Sequence, residues 1–487
     1  MAATLSRRSV LIGALGVALS GCALLRPAKA PGAASAACRT VTTLPIFTPV
    51  ANDKQAAAFE AFDPVLYPLS SSEQYSGPAK AQWAIVQSGG WNPPIQHYAL
   101  DVAVQAANLD PASLLPGTAA AFRYQGSTWA LPGSVQPLAI SYRPDVFAAA
   151  QLPEPAADWS VADFENACLR ILGLTRAGKI PGCYGPLAPL VGSSTITATE
   201  GGNTFSHPVY GDLRDAAVWT GFAAGYGGFL THAGGFDLTN PGAAAGLGEL
   251  VRIARAYGAP EKLLPSTAAQ QQTYLDGAAM LFRPYGGTPV TPSGAAGGVR
   301  RKYARFPVLP VQPAVPATLS GWRLASTLSV PPAAPPAAAL DSVVQFALWT
   351  WRGVRDNPAA PGPPPVLADP QIQRGYWEAA TQVASGATAV GDYTHYVYVD
   401  QDFPPVFADT AGIVYDALSG AVTGTADVAA ALSAATQRLN AAAAQYMTDK
   451  QLQAQAALGR ASTYGVFGAA VAPPPTPAGP VVRVCAK

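Results

Sequence analysis

The stretch from Tyr124 to Phe147, YQGSTWALPGSVQPLAISYRPDVF, restricts the possible folds more than any other part of the chain. Gln125 and Gly126 form a turn between two short apolar runs, and Pro132 with Gly133 is expected to break the second run. Leu138, Ile140 and Tyr142 then alternate as one face of a strand does. Arg143-Pro144-Asp145 ends that strand, and Pro144 suits the first turn of a helix, where its missing N–H would have had no partner. The helix carrying Val146 and Phe147 stops before Pro153, and Asp158-Trp159-Ser160 opens another with Ser160 as N-cap. A hairpin running straight into helices in this way belongs to a mixed α/β fold.

At 487 residues the chain needs two or three domains or lobes rather than one core. Its formal charge of +1 includes Arg7 and Arg8, so a mature chain without them carries −1. A near-neutral chain has no electrostatic footprint for nucleic acid, and that class of function is set aside. Ser6-Arg7-Arg8-Ser9-Val10-Leu11 resembles a twin-arginine leader, and the apolar run Val10 to Leu19 is too short to span a bilayer as a mature helix. Leu19-Ser20-Gly21-Cys22 resembles the lipobox of bacterial lipoproteins, whose cysteine is acylated. Residues 1–21 are therefore read as a signal peptide, Cys22 as the lipidated start of the mature chain, and 22–37 as a tether rich in Ala and Pro. The expected location is the outer face of the cytoplasmic membrane.

Export leaves four cysteines, Cys38, Cys168, Cys183 and Cys485, in an oxidising compartment. Cys168 near the end of one helix and Cys183 just past its loop are natural partners, which leaves Cys38 to join Cys485 and fasten the start of the fold to its end. None forms a Cys-x-x-Cys pair and no histidine cluster accompanies them, so no metal site and no cofactor are expected.

The order found between Tyr124 and Trp159 resembles a segment of the extracellular solute-binding proteins of ABC importers, the large carbohydrate-binding family. Pro132, Tyr142, Asp145, Phe147, Pro153 and Trp159 occupy the matching places, with Arg143-Pro144 where the family more often has Asn-Lys. A second match is Tyr274-Leu275-Asp276-Gly277-Ala278-Ala279-Met280, where a helix end feeds a buried strand. Phe306 to Pro310 resembles the family's proline-leucine-proline strand, and Ser320-Gly321-Trp322-Arg323-Leu324 its strand returning to the first lobe. The match is lost at Ser88 to Pro94, which leaves the ligand contacts of the first lobe undefined while drawing notice to Trp91.

The resemblance implies an α/β, two-lobed periplasmic-binding-protein fold (type II), its lobes joined by crossing strands at a hinge. Lobe 1 would comprise 38–135 and 323–375, and lobe 2 would comprise 136–322 and 376–470. The tail 471–487 would return to lobe 1. The implied partners are a small solute of the sugar class and the transmembrane subunits of an ABC permease, with the protein acting as a monomer. A sensor or glycan-binding surface lipoprotein of the same fold is the alternative, and a secreted hydrolase is the one from another class.

Local patterns give further expectations. Ala79 to Gln87 reads as a helix, Gly192 to Thr204 as loop with at most a short strand, and Val161 to Leu174 as an amphipathic helix. Gly277 suits a left-handed helix cap before an apolar strand from Ala278 to Phe282. Leu340 to Trp351 and most of Val406 to Tyr446 read as helix.

The chain has no Gly-x-Ser-x-Gly elbow, His-Glu-x-x-His pair or Gly-x-x-x-x-Gly-Lys-Ser/Thr loop. His97, His207, His232 and His395 are far apart, and nothing marks the two facing carboxylates of a glycosidase; Glu200 and Asp237 qualify only in principle. The chain is therefore read as a binding protein with no catalytic residues. A sugar site needs flat apolar faces for C–H-rich ring surfaces, which Trp91, Trp129, Tyr226, Tyr285 and Trp322 could supply. It also needs polar groups for hydroxyls, and Gln136, Asn203, Asp237 and Arg323 are the candidates. Trp219, Trp349 and Trp351, on amphipathic helices, are assigned to packing.

Overall fold

The structure, a computed structural model, describes residues 39–41, 44–47, 66–69, 83–87 and 482–484 together with most of 98–446. Within 98–446 the longer segments outside the description are 286–298, 311–314, 327–334, 380–395 and 400–409. Cys22, Cys38, Trp91 and Cys485 lie outside the described residues, as do the leader and the helix-like stretch Asp53 to Phe62.

In chain order the first strands are β1 (Arg39–Val41), β2 (Leu44–Phe47), β3 (Leu66–Leu69) and β4 (Trp83–Gln87). Helix α1 (Asp101–Ala106), the hairpin of β5 (Arg123–Tyr124) and β6 (Ser127–Thr128), and the long strand β7 (Leu131–Tyr142) follow. Then come α2 (Pro144–Ala149), α3 (Val161–Arg176), β8 (Gly185–Leu187), and a hairpin of β9 (Ser193–Glu200) and β10 (Asn203–Tyr210). Helix α4 (Ala216–Gly225), the small pair β11 (Thr231–His232) and β12 (Gly235–Phe236), α5 (Pro241–Tyr257) and α6 (Ala268–Gly277) lead into β13 (Ala278–Pro284). After β14 (Lys302–Arg305) and the second long strand, β15 (Val315–Ser326), lie α7 (Ala337–Asp356) and α8 (Pro370–Ala379). Strand β16 (Tyr396–Val399), α9 (Thr410–Thr423), α10 (Val428–Tyr446) and β17 (Val482–Val484) complete the described chain.

The main sheet runs β3-β2-β4-β15-β7-β13-β8, with β14 also on β7 and β16 also on β15. Its two twelve-residue strands each belong to both lobes. The first half of β7, up to Pro137, pairs antiparallel with Ala317 to Trp322 of β15, while Leu138 to Tyr142 pairs with β13 and β14. In β15 the far end, Trp322 to Ser326, pairs with β4 and the near end, Val315 to Thr318, with β16. Lobe 1 is therefore built on β2, β3, β4 and one end of the pair, and lobe 2 on β8, β13, β14, β16 and the other.

Local chemistry explains the elements that follow expectation. Pro144 stands at the start of α2, and Ser160 caps α3 in a reciprocal box with Asp163. In lobe 2 the buried face of the sheet meets α3 and α4 through Phe164, Phe222, Phe282 and Phe306. Phe222 and Phe306 are edge to face at 5.2 Å and Phe164 lies 6.0 Å from Phe282. Helices α4 and α5 pack backbone to backbone, because a Cβ on Gly246 would run into the carbonyl of Phe222.

Other expectations are corrected. The run taken as a helix over Ala79 to Gln87 is strand β4 from Trp83 onward. Trp83, Ala84 and Ile85 are all buried, and β4 has neighbours on both sides, so a continuous apolar run marks an interior strand. Pro132 and Gly133 do not interrupt β7, because they fall where its register with β15 shifts between Ser320 and Gly321, a place that tolerates a missing N–H. The Ser/Thr-rich segment after Gly192 is a hairpin of two eight-residue strands rather than a loop. Gly277 is not left-handed; its lack of a Cβ makes room for the ring of Tyr184. Phe306-Pro307 follows β14 without being a strand.

Cys168 and Cys183 are separate buried thiols, not the disulfide expected. The residue of α3 that meets Cys183 is Thr175, whose hydroxyl lies 4.0 Å from the sulfur. Thr175 is two turns beyond Cys168, an advance of about 11 Å, which exceeds the Cα separation a disulfide allows. Cys183 instead points its thiol at the carbonyl of Gly185, 3.4 Å away, and burial pushes the Cys168 thiol up. Iodoacetamide, with no reductant added, should leave both cysteines unmodified in the folded protein and label both in guanidinium chloride. Mass spectrometry finding neither labelled after unfolding would show a bond between them.

Candidate ligand cleft at the strand crossing

The lobes are joined where β7 passes β15. Ser134 and Ser320 face each other there with their hydroxyl oxygens 2.6 Å apart, both side chains buried. Beside this pair the backbone comes close to neighbouring side chains and to the opposite strand. A Cβ on Gly133 would lie 2.9 Å from Nε1 of Trp322, and one on Gly321 would lie 2.7 Å from the ring of Phe122 and 2.9 Å from the Leu131 carbonyl. Trp322 itself is half-buried and meets Phe346 of α7 edge to face at 5.0 Å. The register shift, the two glycines and the Ser134–Ser320 hydroxyl pair mark the place where the shared strands cross.

A third connection runs along the same seam. The segment before α8 follows lobe 1, with Val135 N donating to the Pro364 carbonyl at 3.2 Å and Leu115 N to that of Val366 at 2.7 Å. Gln373 on α8 fixes the corner by donating to the carbonyls of Pro365 (2.9 Å) and Leu367 (2.7 Å). One turn later Trp377 stacks on Tyr285 at the end of β13, with ring centroids 5.3 Å apart and planes at 28°. Tyr303 closes the other side of Tyr285 at 4.9 Å, and Tyr285 N donates to the Pro137 carbonyl of β7 at 2.7 Å. Tyr285 is therefore only 6% exposed. Its place at a strand's carboxyl end had suggested an open ligand face, but α8 covers it.

On the same strand, two residues earlier, stands Arg283, whose side chain is 38% exposed. Its Nη2 lies 3.9 Å from Oδ1 of Asp212, and no hydrogen bond joins its guanidinium to another described residue. Asp212 is 3% exposed in its side chain and takes a hydrogen bond from the Tyr274 hydroxyl at 3.3 Å, while its Oδ2 has no partner among the described residues. Burial pushes the Asp212 carboxyl up, and Arg283 pulls it back down. Asp215, the N-cap of α4, is a second, half-buried acid whose carboxyl is pushed up by desolvation. Two other arginines close by are structural. Arg301 donates to the carbonyls of Leu275, Ala278 and Ser141 and to the Ser141 hydroxyl, and burial followed by the charge of Arg143 brings it down to about 10. Arg143 holds the Gly182 and Asp276 carbonyls and pairs with Asp145.

The remaining sequence candidates fall into two groups. Gln136, opposite Thr318, and Trp129, whose backbone N–H donates to the Phe122 carbonyl at 2.8 Å, are half-buried near the crossing. Arg323 is buried in β15 opposite Val86. The others lie apart in lobe 2. Asp237 accepts from the backbone and hydroxyl of Thr239 in the turn before α5, and Tyr226 caps α4, its hydroxyl pushed up to about 12 by burial and then by Glu249. Asn203 stands at the tip of the β9–β10 hairpin. Sequence reasoning missed Arg283, Asp212 and Trp377, although an arginine inside the apolar run AAMLFRP was a usable signal. A cavity of about 220 Å³ lies between α1, the start of β7 and Trp351, and its lining includes Leu131 and Pro132 at the lobe 1 end of the crossing.

Because Gly133 is packed against Trp322, Gly133→Ala should destabilise the protein by about 1–3 kcal/mol through overpacking. Urea unfolding would measure it, and a neutral effect would mean that the crossing is looser than described.

No protein-family model matches the sequence, and no curated protein is similar to it at the level of sequence. Solved structures are similar over most of the chain. An ABC substrate-binding protein from Listeria monocytogenes in complex with cycloalternan has a TM-score of 0.59 at 13% identity, over 82% of this chain and 98% of that one. A sugar transporter from Rhizobium etli in an open conformation gives 0.56 at 16%, over 82% and 100%. The sugar-binding protein MalE from Xanthomonas citri gives 0.55 at 15%, over 83% and 98%. The chain therefore has the two-lobed α/β fold of the substrate-binding proteins of ABC transporters.

Proposed function

We propose that the chain captures a sugar or oligosaccharide between its two lobes and hands it to an ABC permease. The observation that supports this best is the double crossing of β7 and β15, with its register shift and its single buried hydroxyl pair, in a fold shared with sugar-bound proteins. The lobes are taken as 38–135 with 323–375, and 136–322 with 376–470. Within them Trp129, Gln136 and Trp322 are the sequence candidates nearest the seam. Among the described residues no helix is long and apolar enough to cross a membrane, and attachment is assigned to lipid on Cys22.

Calorimetry of the mature chain against mono- and oligosaccharides should find a ligand, and small-angle scattering should show compaction when it binds. A verified ligand with no compaction would defeat hinge closure. Binding to none of the panel would defeat the sugar reading. Mass spectrometry of membrane-extracted protein should find acylated Cys22, and Cys22→Ala should release the chain from the membrane; an unmodified Cys22 in the membrane fraction would refute the anchor.

We also assign a disulfide to Cys38 and Cys485. What supports it is the antiparallel pairing of β1 with β17, which sets Arg39 against Val484, the residues next to these cysteines. Its removal should cost about 2–5 kcal/mol. Non-reducing peptide mapping that finds both as free thiols would end this assignment.

A further inference from the structure

An arginine with unused donors beside a buried acid with an unused acceptor is incomplete as a structural ion pair. The charges of Arg283 and Asp212 sit 3.9 Å apart, too far for a hydrogen bond, although both could move closer in a clasp meant only for stability. Arg301, close by in the same lobe, shows what a structural arginine does in this protein: it is 6% exposed and spends its donors on backbone carbonyls. Arg283 is instead partly open, on the strand whose carboxyl end meets the crossing. It pairs with Ala139 in β7, three residues from Gln136 and so about 10 Å along the strand. Open α/β sheets bind ligands at that end of their strands.

We propose that Arg283 and Asp212 form the ligand-gripping pair of lobe 2, and that they take two adjacent hydroxyls of an uncharged sugar. This rests on the sugar-capture reading above. The guanidinium offers two parallel N–H groups to neighbouring oxygens, and Asp212 Oδ2 accepts a hydrogen bond from one of the same hydroxyls. The class of ligand follows from the local charge. A phosphate or carboxylate would gain the arginine but would face two acids, the buried Asp212 and the half-buried Asp215, and would leave Oδ2 without a donor. A diol supplies donors and acceptors together. Tyr274, bonded to the other oxygen of Asp212, is a positioning residue.

The test is calorimetry on the full mature chain with glucose, maltose, trehalose and maltotetraose, and with inorganic phosphate and glycerol 3-phosphate as anionic probes. Arg283→Lys keeps the charge beside both acids but loses the fork, so Kd for the bound sugar should rise about 10- to 100-fold with an unchanged melting temperature. Arg252→Gln, on the outer face of α5, should leave Kd unchanged. Sugar binding by Arg283→Lys at the wild-type Kd would overturn the assignment and leave sugar capture standing. Arg283-dependent binding of the anionic probes alone would overturn the diol. Failure of the wild type to bind any sugar would remove both readings. If Arg283→Lys melts early, Asp212→Asn decides: weakened binding in a folded variant supports the pair, and early melting of both shows a structural clasp instead.

Discussion

The backbone ladder between β7 and β15 is the interaction on which the rest of the molecule depends. Each strand is long enough to be shared, so that one end is completed by β4 in lobe 1 and the other by β13, β14 or β16 in lobe 2. Main-chain hydrogen bonds at the centre hold the two strands together, with the ring of Trp322 packed on Gly133 and that of Phe122 on Gly321. What lies between the strands there is two serine hydroxyls and two glycines. A ladder of this kind resists separation along the sheet and yields to twisting across it, which is the mechanical property an interlobe cleft needs.

Around that ladder the two lobes are stiffened differently. Lobe 2 has a packed aromatic core of Phe164, Phe222, Phe282 and Phe306 on one face of its sheet. On the other face, buried arginines satisfy the carbonyls released where α6 turns into β13. Helix α8 adds a strap from lobe 1 to Tyr285 through Trp377. That stacked contact spans the seam, so any opening of the lobes must either carry α8 with lobe 2 or slide Trp377 over Tyr285. Stacked rings allow sliding more readily than interlocked aliphatic side chains do, because their contact is flat.

The fold was legible to the extent that local chemistry and tertiary packing agreed. Pro144, the box of Ser160 with Asp163, and Asn240 at the start of α5 mark helix starts that neighbouring residues alone determine. The ligand site was less legible. Tyr285 carries every local sign of a ligand face, and only α8, some ninety residues further on, reveals that it is covered. Conversely Arg283 reads as an interruption in an apolar strand until Asp212 and Tyr274 are brought beside it.

By itself the sequence determined the near-neutral charge, the starts of helices such as α2, α3 and α5, and an order of elements that resembles a two-lobed binding protein. Tertiary structure alone decided that the apolar run at Trp83 is a strand, because burial on both faces erases the alternation that would have shown it. It decided that β7 runs through Pro132 and Gly133, because a register shift in the partner strand accommodates both. It also kept Cys168 and Cys183 apart, since separation along a rigid helix, and not closeness in sequence, governs whether two sulfurs can meet.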